Sequence, residues 1–301
     1  VTSDDAPRGG RASTPGEAEG PFPRPRRSLG QNFLIDPNLQ RRIVEEAGIE
    51  PGDTVLEIGP GRGALTGGLA ERAGRLILVE LDRELAMRLE ERFAGDERVQ
   101  VVRDDILAHP LSALTPDPER LRVVGNIPYN LTTPILFHLL ELPRPRSIVL
   151  MVQREVAERI MADPGSKAYG ALSVGVRAVA AVEQVLAVPR TVFRPQPRVD
   201  SAVLRIHPFA PSPLTPDEEH TLRTLTRALF QWRRKQLGRI LRDHPDLRLD
   251  PERLNEVLRA AGADRADRPE TISPKGFAAM AACLAAGEAG PPDEASPREP
   301  G

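Results

Sequence analysis

Thr54-Val55-Leu56-Glu57-Ile58-Gly59-Pro60-Gly61-Arg62-Gly63 runs directly into Ala64-Leu65 and then Leu69 and Ala73. The first five residues are branched or apolar enough for a short buried strand, and Leu65, Leu69 and Ala73 recur at helical spacing. A glycine-rich turn between a strand and a helix is the setting a nucleotide-binding loop needs. Without Cβ atoms the backbone turns tightly and lets a ligand approach, and the helix N-terminus favours negative charge. Gly59-x-Gly61-x-x-Ala64 also fits the relaxed dinucleotide pattern, so the loop alone does not choose a cofactor. It lacks the Gly-Lys-Ser/Thr ending of a P-loop, which argues against nucleoside triphosphate hydrolysis.

Outward from this stretch the pattern repeats. Strands are expected at 76–79, 99–102, 121–124 and 147–151, with crossover helices marked by Leu85, Leu89 and Phe93, by 135–142 and by 153–161. Strand–helix alternation with crossovers this long implies parallel pairing and a doubly wound α/β sheet. A helix is expected at 172–181, then later strands at 182–188 and 202–206, antiparallel by their position, with the Pro-rich 194–199 as a rigid connection. Upstream, Asp36 caps a helix whose first turn holds Pro37 and whose apolar stripe is Leu39, Ile43 and Val44. A Pro-rich linker at 208–213 introduces helices from Pro216, at 235–241, 251–260 and 274–286. The expected organisation is a tail at 1–24, an α/β domain at 25–208, a small helical domain at 212–286 and a tail at 287–301, both tails disordered by composition.

Composition narrows the function. The chain has 301 residues, enough for one large core and a smaller domain, and only 4% aromatic residues, so each well-placed aromatic is informative. A lone Cys283 excludes an internal disulfide and a cysteine-rich zinc site, and the 5 His residues are scattered, so no metal is expected. No apolar run approaches the ~18 residues needed to span a membrane, and the N-terminus lacks a signal-peptide core. A cytoplasmic monomer is the expectation. Formal net charge is −2, so any nucleic-acid partner must be held by local positive charge.

Three strand ends define candidate chemistry. Glu80, with Leu81 beside it, stands where an acid accepts the two hydroxyls of a ribose. Asp105 could accept from an adenine amino group with Ile106 against the ring; Asp104 is an equal candidate on spacing alone. Glycine loop, Glu80 and the third strand's acid together trace an adenosine, as in NAD or S-adenosylmethionine. The fourth strand end separates these two. Asn126-Ile127-Pro128-Tyr129 places an amide beside a ring, with Pro128 restricting Ile127 to an extended or turn conformation. Hydride transfer has no use for this pair, whereas methylation of a planar exocyclic amine does. Asn126 Oδ1 and a backbone carbonyl around Ile127 would accept the two N–H groups, and Tyr129 would stack on the base.

These residues carry a resemblance. Leu29-Gly30-Gln31-Asn32-Phe33-Leu34, Glu57-Ile58-Gly59-Pro60-Gly61-Arg62-Gly63 and Asn126-Ile127-Pro128-Tyr129-Asn130 are similar to segments of the ribosomal RNA adenine dimethyltransferases, the small-subunit KsgA/RsmA branch in particular. The similarity continues through Val152-Gln153-Arg154-Glu155-Val156-Ala157, Pro164-Gly165-Ser166-Lys167-Ala168-Tyr169-Gly170, the segment from Phe193 to Ala202, and Phe230-Gln231-Trp232-Arg233-Arg234-Lys235. It implies a Rossmann-like class I methyltransferase domain with a small C-terminal α-helical domain. The implied reaction uses S-adenosylmethionine to convert two adjacent adenines near the 3′ end of small-subunit rRNA to N6,N6-dimethyladenine. By the same resemblance Glu80 holds the ribose, Asp105 rather than Asp104 binds the adenine amine, and Gln31, Asn32 and Leu34 lie over the cofactor. Gly59, Gly61 and Gly63 form the loop, and Phe193 would sandwich the target base opposite Tyr129. Trp232 departs from the family's usual small or polar residue.

RNA would bind through Arg223, Arg227, Arg233, Arg234, Lys235, Arg239 and Arg242 on the first helices of the small domain. If the first of these runs on to Arg234, then Arg223, Arg227 and Arg234 share a face. Arg154, Arg24, Arg26 and Arg27 could extend the track, and a merely solvated charged helix is the alternative. Three rival functions stay open at this level. One is dimethylation of a large-subunit rRNA adenine of the macrolide-resistance type. The others are an RNA-binding assembly factor with secondary methylation, and an NAD-dependent oxidoreductase, which lacks a His or Lys candidate near the fourth strand.

Overall fold

Asp36 accepts the Leu39 N–H at 2.9 Å and Pro37 fills the first turn, so the first long helix starts where capping chemistry puts it. The computed structural model describes residues 25–26 and 30–288; Arg24, Arg27 and most of both expected tails lie outside them. In chain order the elements are β1 (Phe33–Leu34), α1 (Pro37–Glu46), β2 (Thr54–Ile58), α2 (Thr66–Arg72), β3 (Arg75–Val79), α3 (Arg83–Arg92), β4 (Val99–Val102) and α4 (Leu111–Leu114). There follow β5 (Arg122–Asn126), α5 (Thr132–Leu139), β6 (Ser147–Gln153), α6 (Arg154–Met161), α7 (Ala171–Arg177), β7 (Ala180–Val188), β8 (Phe193–Arg194) and β9 (Ser201–Pro208). Four helices complete the chain: α8 (Pro216–Gln231), α9 (Leu237–Asp243), α10 (Pro251–Ala261) and α11 (Pro274–Glu288).

Seven strands form one sheet in the order β4-β3-β2-β5-β6-β9-β7. β4 through β6 are parallel, and β9 runs antiparallel between β6 and β7. From β2 the chain builds outward to β4, then returns to place β5 on the other side. The carboxyl ends of β2 and β5 therefore flank the switch point where open α/β sheets bind ligands. Gly125 lets the strands close there, since a Cβ would lie 3.1 Å from the Ile58 carbonyl and from a Leu150 methyl.

Alternation along each strand divides the core. Val55, Leu76, Leu78, Val124 and Val149 pack against α1 and α2 through Ile43, Val44, Leu65 and Leu69. Leu56, Ile58, Ile77, Val79 and Val123 face the other way and join a cluster that continues through α5 to α7 into α8–α11. The C-terminal helices thus share a core with the sheet. Phe230 stacks on Phe277 with centroids 5.6 Å apart and meets the Tyr169 edge at 6.1 Å, and the Tyr169 hydroxyl donates to the Ile272 carbonyl at 2.7 Å. Thr215 and Glu218 cap α8 reciprocally. The buried Arg144 and Glu219 form an ion pair that ties the segment after α5 to α8.

Several boundaries differ from the sequence expectation. α7 stops at Arg177, and Ala180 and Ala181 belong to β7, drawn into the ladder by pairing with Pro208 and His207. Alanine accepts either state, so the tertiary partner decides. α5 begins at Thr132 and ends at Leu139, ahead of Pro143 and Pro145. α8 ends at Gln231, and Trp232 just past it meets the buried His244 ring edge to face at 5.1 Å. α11 extends through Glu288, past the expected start of the tail.

Glu219→Ala leaves Arg144 charged, buried and without its carboxylate. Urea unfolding should register a loss of about 3–5 kcal/mol. A change below 1 kcal/mol would show that the pair does not hold the helices to the sheet.

Candidate active site

The loop after β2 is organised by carboxylates beneath it. Gly61 has φ +60°, and its N–H donates to Glu80 Oε2 at 2.8 Å. The Asp82 N–H donates to Glu80 Oε1 at 2.9 Å. Burial raises the Glu80 pKa, and these two donors oppose the rise. A Cβ on Gly61 would lie 3.2 Å from the Phe33 ring, so glycine is required by both conformation and space. The Arg62 guanidinium lies 4.3 Å above the Phe33 centroid.

One cleft collects most of the expected residues: Gln31, Asn32, Leu34, Gly59, Gly61, Glu80, Leu81, Asp105, Ile106 and the whole Asn126–Tyr129 tetrad. Asp105 caps the turn after β4 by accepting the Leu107 N–H through Oδ1 at 3.0 Å, which leaves Oδ2 for a ligand amine. Asp104 also lines the cleft, but it accepts the Asp105 N–H through Oδ1 and faces His109 with Oδ2 at 3.0 Å, so both its oxygens are engaged. Gln31 bridges Arg26, whose N–H it accepts at 2.8 Å, and Asp82, to which it donates at 3.1 Å. The segment before α1 is thereby pinned over the Glu80 end.

Asn126 ends β5 and donates through Nδ2 to the Asn32 carbonyl at 3.4 Å. A carbonyl can only accept, so the amide nitrogen must face it and Oδ1 remains free to accept. The Pro128 carbonyl takes the Leu131 N–H at 3.0 Å, and among the described residues no backbone N–H reaches the Ile127 carbonyl. Ile127 itself is buried, so only its backbone is available for chemistry. Tyr129 is half-buried beside them, with its hydroxyl 2.8 Å from Ser201 Oγ.

Two of the expected site residues lie away from the cleft. Gly63 does not line the cleft; its φ of +79° and its N–H bond to the Pro60 carbonyl make it a turn residue. Phe193 is fully buried and contributes no surface to the cleft. It pairs in β8 with Leu34 of β1 and packs in the core with Leu34, anchoring the covering segment instead of facing a base. Conversely, Phe33, Glu57, Pro60, Arg62 and Asn130 line the cleft and were not singled out. All five stood inside quoted motifs, but nothing local marked them as wall residues.

Among the described residues no group of three or more His, Cys, Asp or Glu could hold a metal. The donor set instead fits an adenosine bearing an amino-acid tail. A buried carboxylate suits the ribose, Asp105 Oδ2 and Ile106 the adenine, and the glycine loop leaves room for the tail.

Residues 23–250 match the family of ribosomal RNA adenine dimethylases. The chain belongs to that family. It is 44% identical over 269 residues to ribosomal RNA small subunit methyltransferase A of Moorella thermoacetica, covering 86% of this chain and 92% of that protein. The like-named protein of Acidobacterium capsulatum is also 44% identical, over 84% of this chain and 88% of its own length. Among solved structures, a dimethyladenosine transferase from Plasmodium falciparum aligns with TM-score 0.71 and 26% identity over 82% of this chain and 95% of that one. The 23S rRNA methyltransferase ErmE aligns with TM-score 0.65 and 30% identity over 84% and 99%. The class I methyltransferase fold, the enzymatic class and the resemblance read from the motifs are thus borne out.

The dimethylase's expected RNA surface is dispersed. Arg223 and Arg227 sit on α8, Arg227 within 3.6 Å of Asp246. Arg233 is not a free cation: it pairs with Glu270 at 2.6 Å and donates to the Ser166 and Lys167 carbonyls, tying the chain after α8 to the loop before α7. Arg234 and Lys235 lie beyond the end of α8, so no helical face unites Arg234 with Arg223 and Arg227. Arg239 and Arg242 share Asp243, and Arg154 lies between Glu158 and Asp200. Arg26 is paired with Asp82 at 3.4 Å.

Glu57 lies at the base of the cleft, and burial pushes its pKa from 4.5 up to about 8, with Glu80 repelling it and Thr66 and Arg92 opposing. Below pH about 4.5 it is protonated folded and unfolded alike. As pH rises toward about 8, the unfolded chain releases a proton that the folded state retains, so this group's contribution to stability falls across that window. Denaturant unfolding of the cofactor-free protein should show Glu57→Gln gaining, relative to wild type, on the order of a few kcal/mol at alkaline pH and almost nothing at pH ~4. Parallel pH profiles for the two proteins would remove Glu57 as the cause.

Proposed function

We propose that the protein transfers methyl groups from S-adenosylmethionine to N6 of two adjacent adenines near the 3′ end of small-subunit rRNA, dimethylating each, in the cytoplasm. The observation that carries this reading is Asn126. Its amide nitrogen is committed to the Asn32 carbonyl while Tyr129 and the Ile127 carbonyl share the same lip of the cleft. The choice of small-subunit RNA is supported by the names of relatives 39–44% identical to this chain, whereas the large-subunit enzyme ErmE is 30% identical.

When bound, S-adenosylmethionine supplies an electrophilic methyl group on a sulfonium centre. Glu80 accepts the ribose hydroxyls, Asp105 the adenine amine, and Gln31, Asn32 and Leu34 cover the ligand. On the other side, Asn126 Oδ1 and the Ile127 carbonyl accept the two N–H groups of the target N6. This draws electron density onto nitrogen and aims it in line with the transferring carbon. Tyr129 holds the base plane by stacking. Each transfer forms one N6–carbon bond, breaks the donor's sulfur–carbon bond and releases one N6 proton to water. No strong base is needed, because the N–H becomes acidic as the new bond forms.

Residues 25–208 supply the catalytic unit, and 212–286 contact RNA. Arg223, Arg227, Arg234, Lys235 and Arg239, with Arg154, are the side chains available for phosphate, while Arg233 acts mainly within the fold. Affinity should therefore be salt-dependent.

Nucleoside mass spectrometry after incubation with unmethylated small-subunit particles, or separately with large-subunit RNA, tests the reading. Dimethyladenine should form in the small-subunit substrate; formation only in large-subunit RNA would overturn the choice of substrate. Asn126→Ala should lower transfer at least ~100-fold while S-adenosylmethionine binding stays within a few-fold. Near-normal turnover would refute the role given to the amide.

A further inference from the structure

Tyr129 is held from behind by a residue that the chemistry above does not use. Its hydroxyl lies 2.8 Å from Ser201 Oγ, and either oxygen can donate. Ser201 is 2% exposed and opens β9, where it pairs with Gln153 on one side and Val188 on the other. Asp200 before it is fixed as well. Its carbonyl accepts the Arg154 N–H at 3.0 Å, and its carboxylate accepts the Arg190 N–H at 3.0 Å. The serine backbone is thus locked in the middle of a three-strand ladder, and its hydroxyl is a fixed anchor for a ring that is otherwise half-exposed. Pro128 fixes its own φ and restricts Ile127, and neither constraint reaches the tyrosine ring. The Ser201 bond pins the far end of the ring and so restrains its swing about the Cα–Cβ bond; rotation about the ring's own long axis leaves the hydroxyl oxygen where it is.

We propose that Ser201 is a positioning residue that fixes where the Tyr129 ring sits at the lip of the cleft, and that it matters more for the second methyl transfer at each adenine than for the first. This rests on the function proposed above. An unmodified amino group offers two N–H donors, one for Asn126 Oδ1 and one for the Ile127 carbonyl. After one methylation a single N–H remains, so one acceptor loses its donor and the in-plane restraint on the base is halved. Stacking on Tyr129 must then keep the base in register, and a ring free to swing away from it no longer does so.

The test uses the full-length protein and unmethylated small-subunit particles. A time course resolved by mass spectrometry into monomethyl- and dimethyladenine gives the two rates separately. In Ser201→Ala the second transfer should slow at least tenfold more than the first, so monomethyladenine accumulates. Ser201→Thr, which keeps a hydroxyl on a residue suited to a strand, should restore the wild-type ratio. Tyr129→Phe should reproduce the alanine phenotype, and the double variant should be no worse than either single one, as expected of two atoms acting through one bond. A merely structural serine would slow both transfers by the same factor, and that result would overturn the proposal. Should Ser201→Ala fail to fold, Tyr129→Phe decides the matter alone, since it removes only a hydroxyl. If the wild type dimethylates small-subunit RNA but the variants keep its product ratio, only this inference fails. If the wild type does not dimethylate it, the proposed function fails and takes this inference with it.

Discussion

The bond from the Gly61 N–H to the buried Glu80 carboxylate fixes the relation between two neighbouring strand ends, and the rest of the site is arranged around it. Gly61 takes a positive φ as it makes this bond, and the space a side chain would fill there is occupied by Phe33. Phe33 is held in turn by Arg62 above it and by the β1–β8 pairing, which brings the Asn32 carbonyl to Asn126. One chain of contacts therefore runs from Glu80, the proposed ribose acceptor, to Asn126, the amide proposed to receive the target amine. The spacing of Glu80 and Asn126 is thus held by strand ends together with the side chains packed between them.

Electrostatics follow from the same packing. Glu57 on β2 and Glu80 just past β3 are both buried, which raises both pKa values; Glu80 adds to the rise at Glu57, and Asp82 to that at Glu80. Glu80 is stabilised by two backbone donors, while one Glu57 oxygen has no partner among the described residues. The protein thus keeps one acid hydrogen-bonded and close to its ligand position and leaves the other largely protonated near neutral pH.

What could be read from the chain was local. A strand, a glycine turn and a helix are written within sixteen residues, and Asn126–Tyr129 within four, so the sheet, the switch point and the acceptor lip were all legible. Asp105 and Asp104 could not be separated by spacing; the capping bond to Leu107 and the His109 contact of Asp104 supply a physical reason. Features that depend on distant partners were not legible in the chain. Phe193 is an aromatic in a functional-looking motif, yet its neighbour is Leu34, nearly 160 residues earlier. Arg233 belongs to a basic run, but Glu270 and the carbonyls before α7 claim it. Gly63 sits in a ligand loop and serves only the turn. In each case the residue type was informative and its partner was not, because periodicity reports a face and does not report what covers it.

The common core of the sheet and the C-terminal helices has an evolutionary consequence. Tyr169, Phe230 and Phe277 come from three separate parts of the chain and meet in one aromatic cluster, and Glu219 closes on Arg144 across the linker. Such helices are not a detachable cassette. Exchanging them between relatives would open a large apolar surface on both halves and strand a buried charge. If these helices contact RNA as proposed, a change of RNA is constrained to proceed by substitution on the outer face of a fixed scaffold, one exposed side chain at a time, while the inner face changes only in concert with its partners.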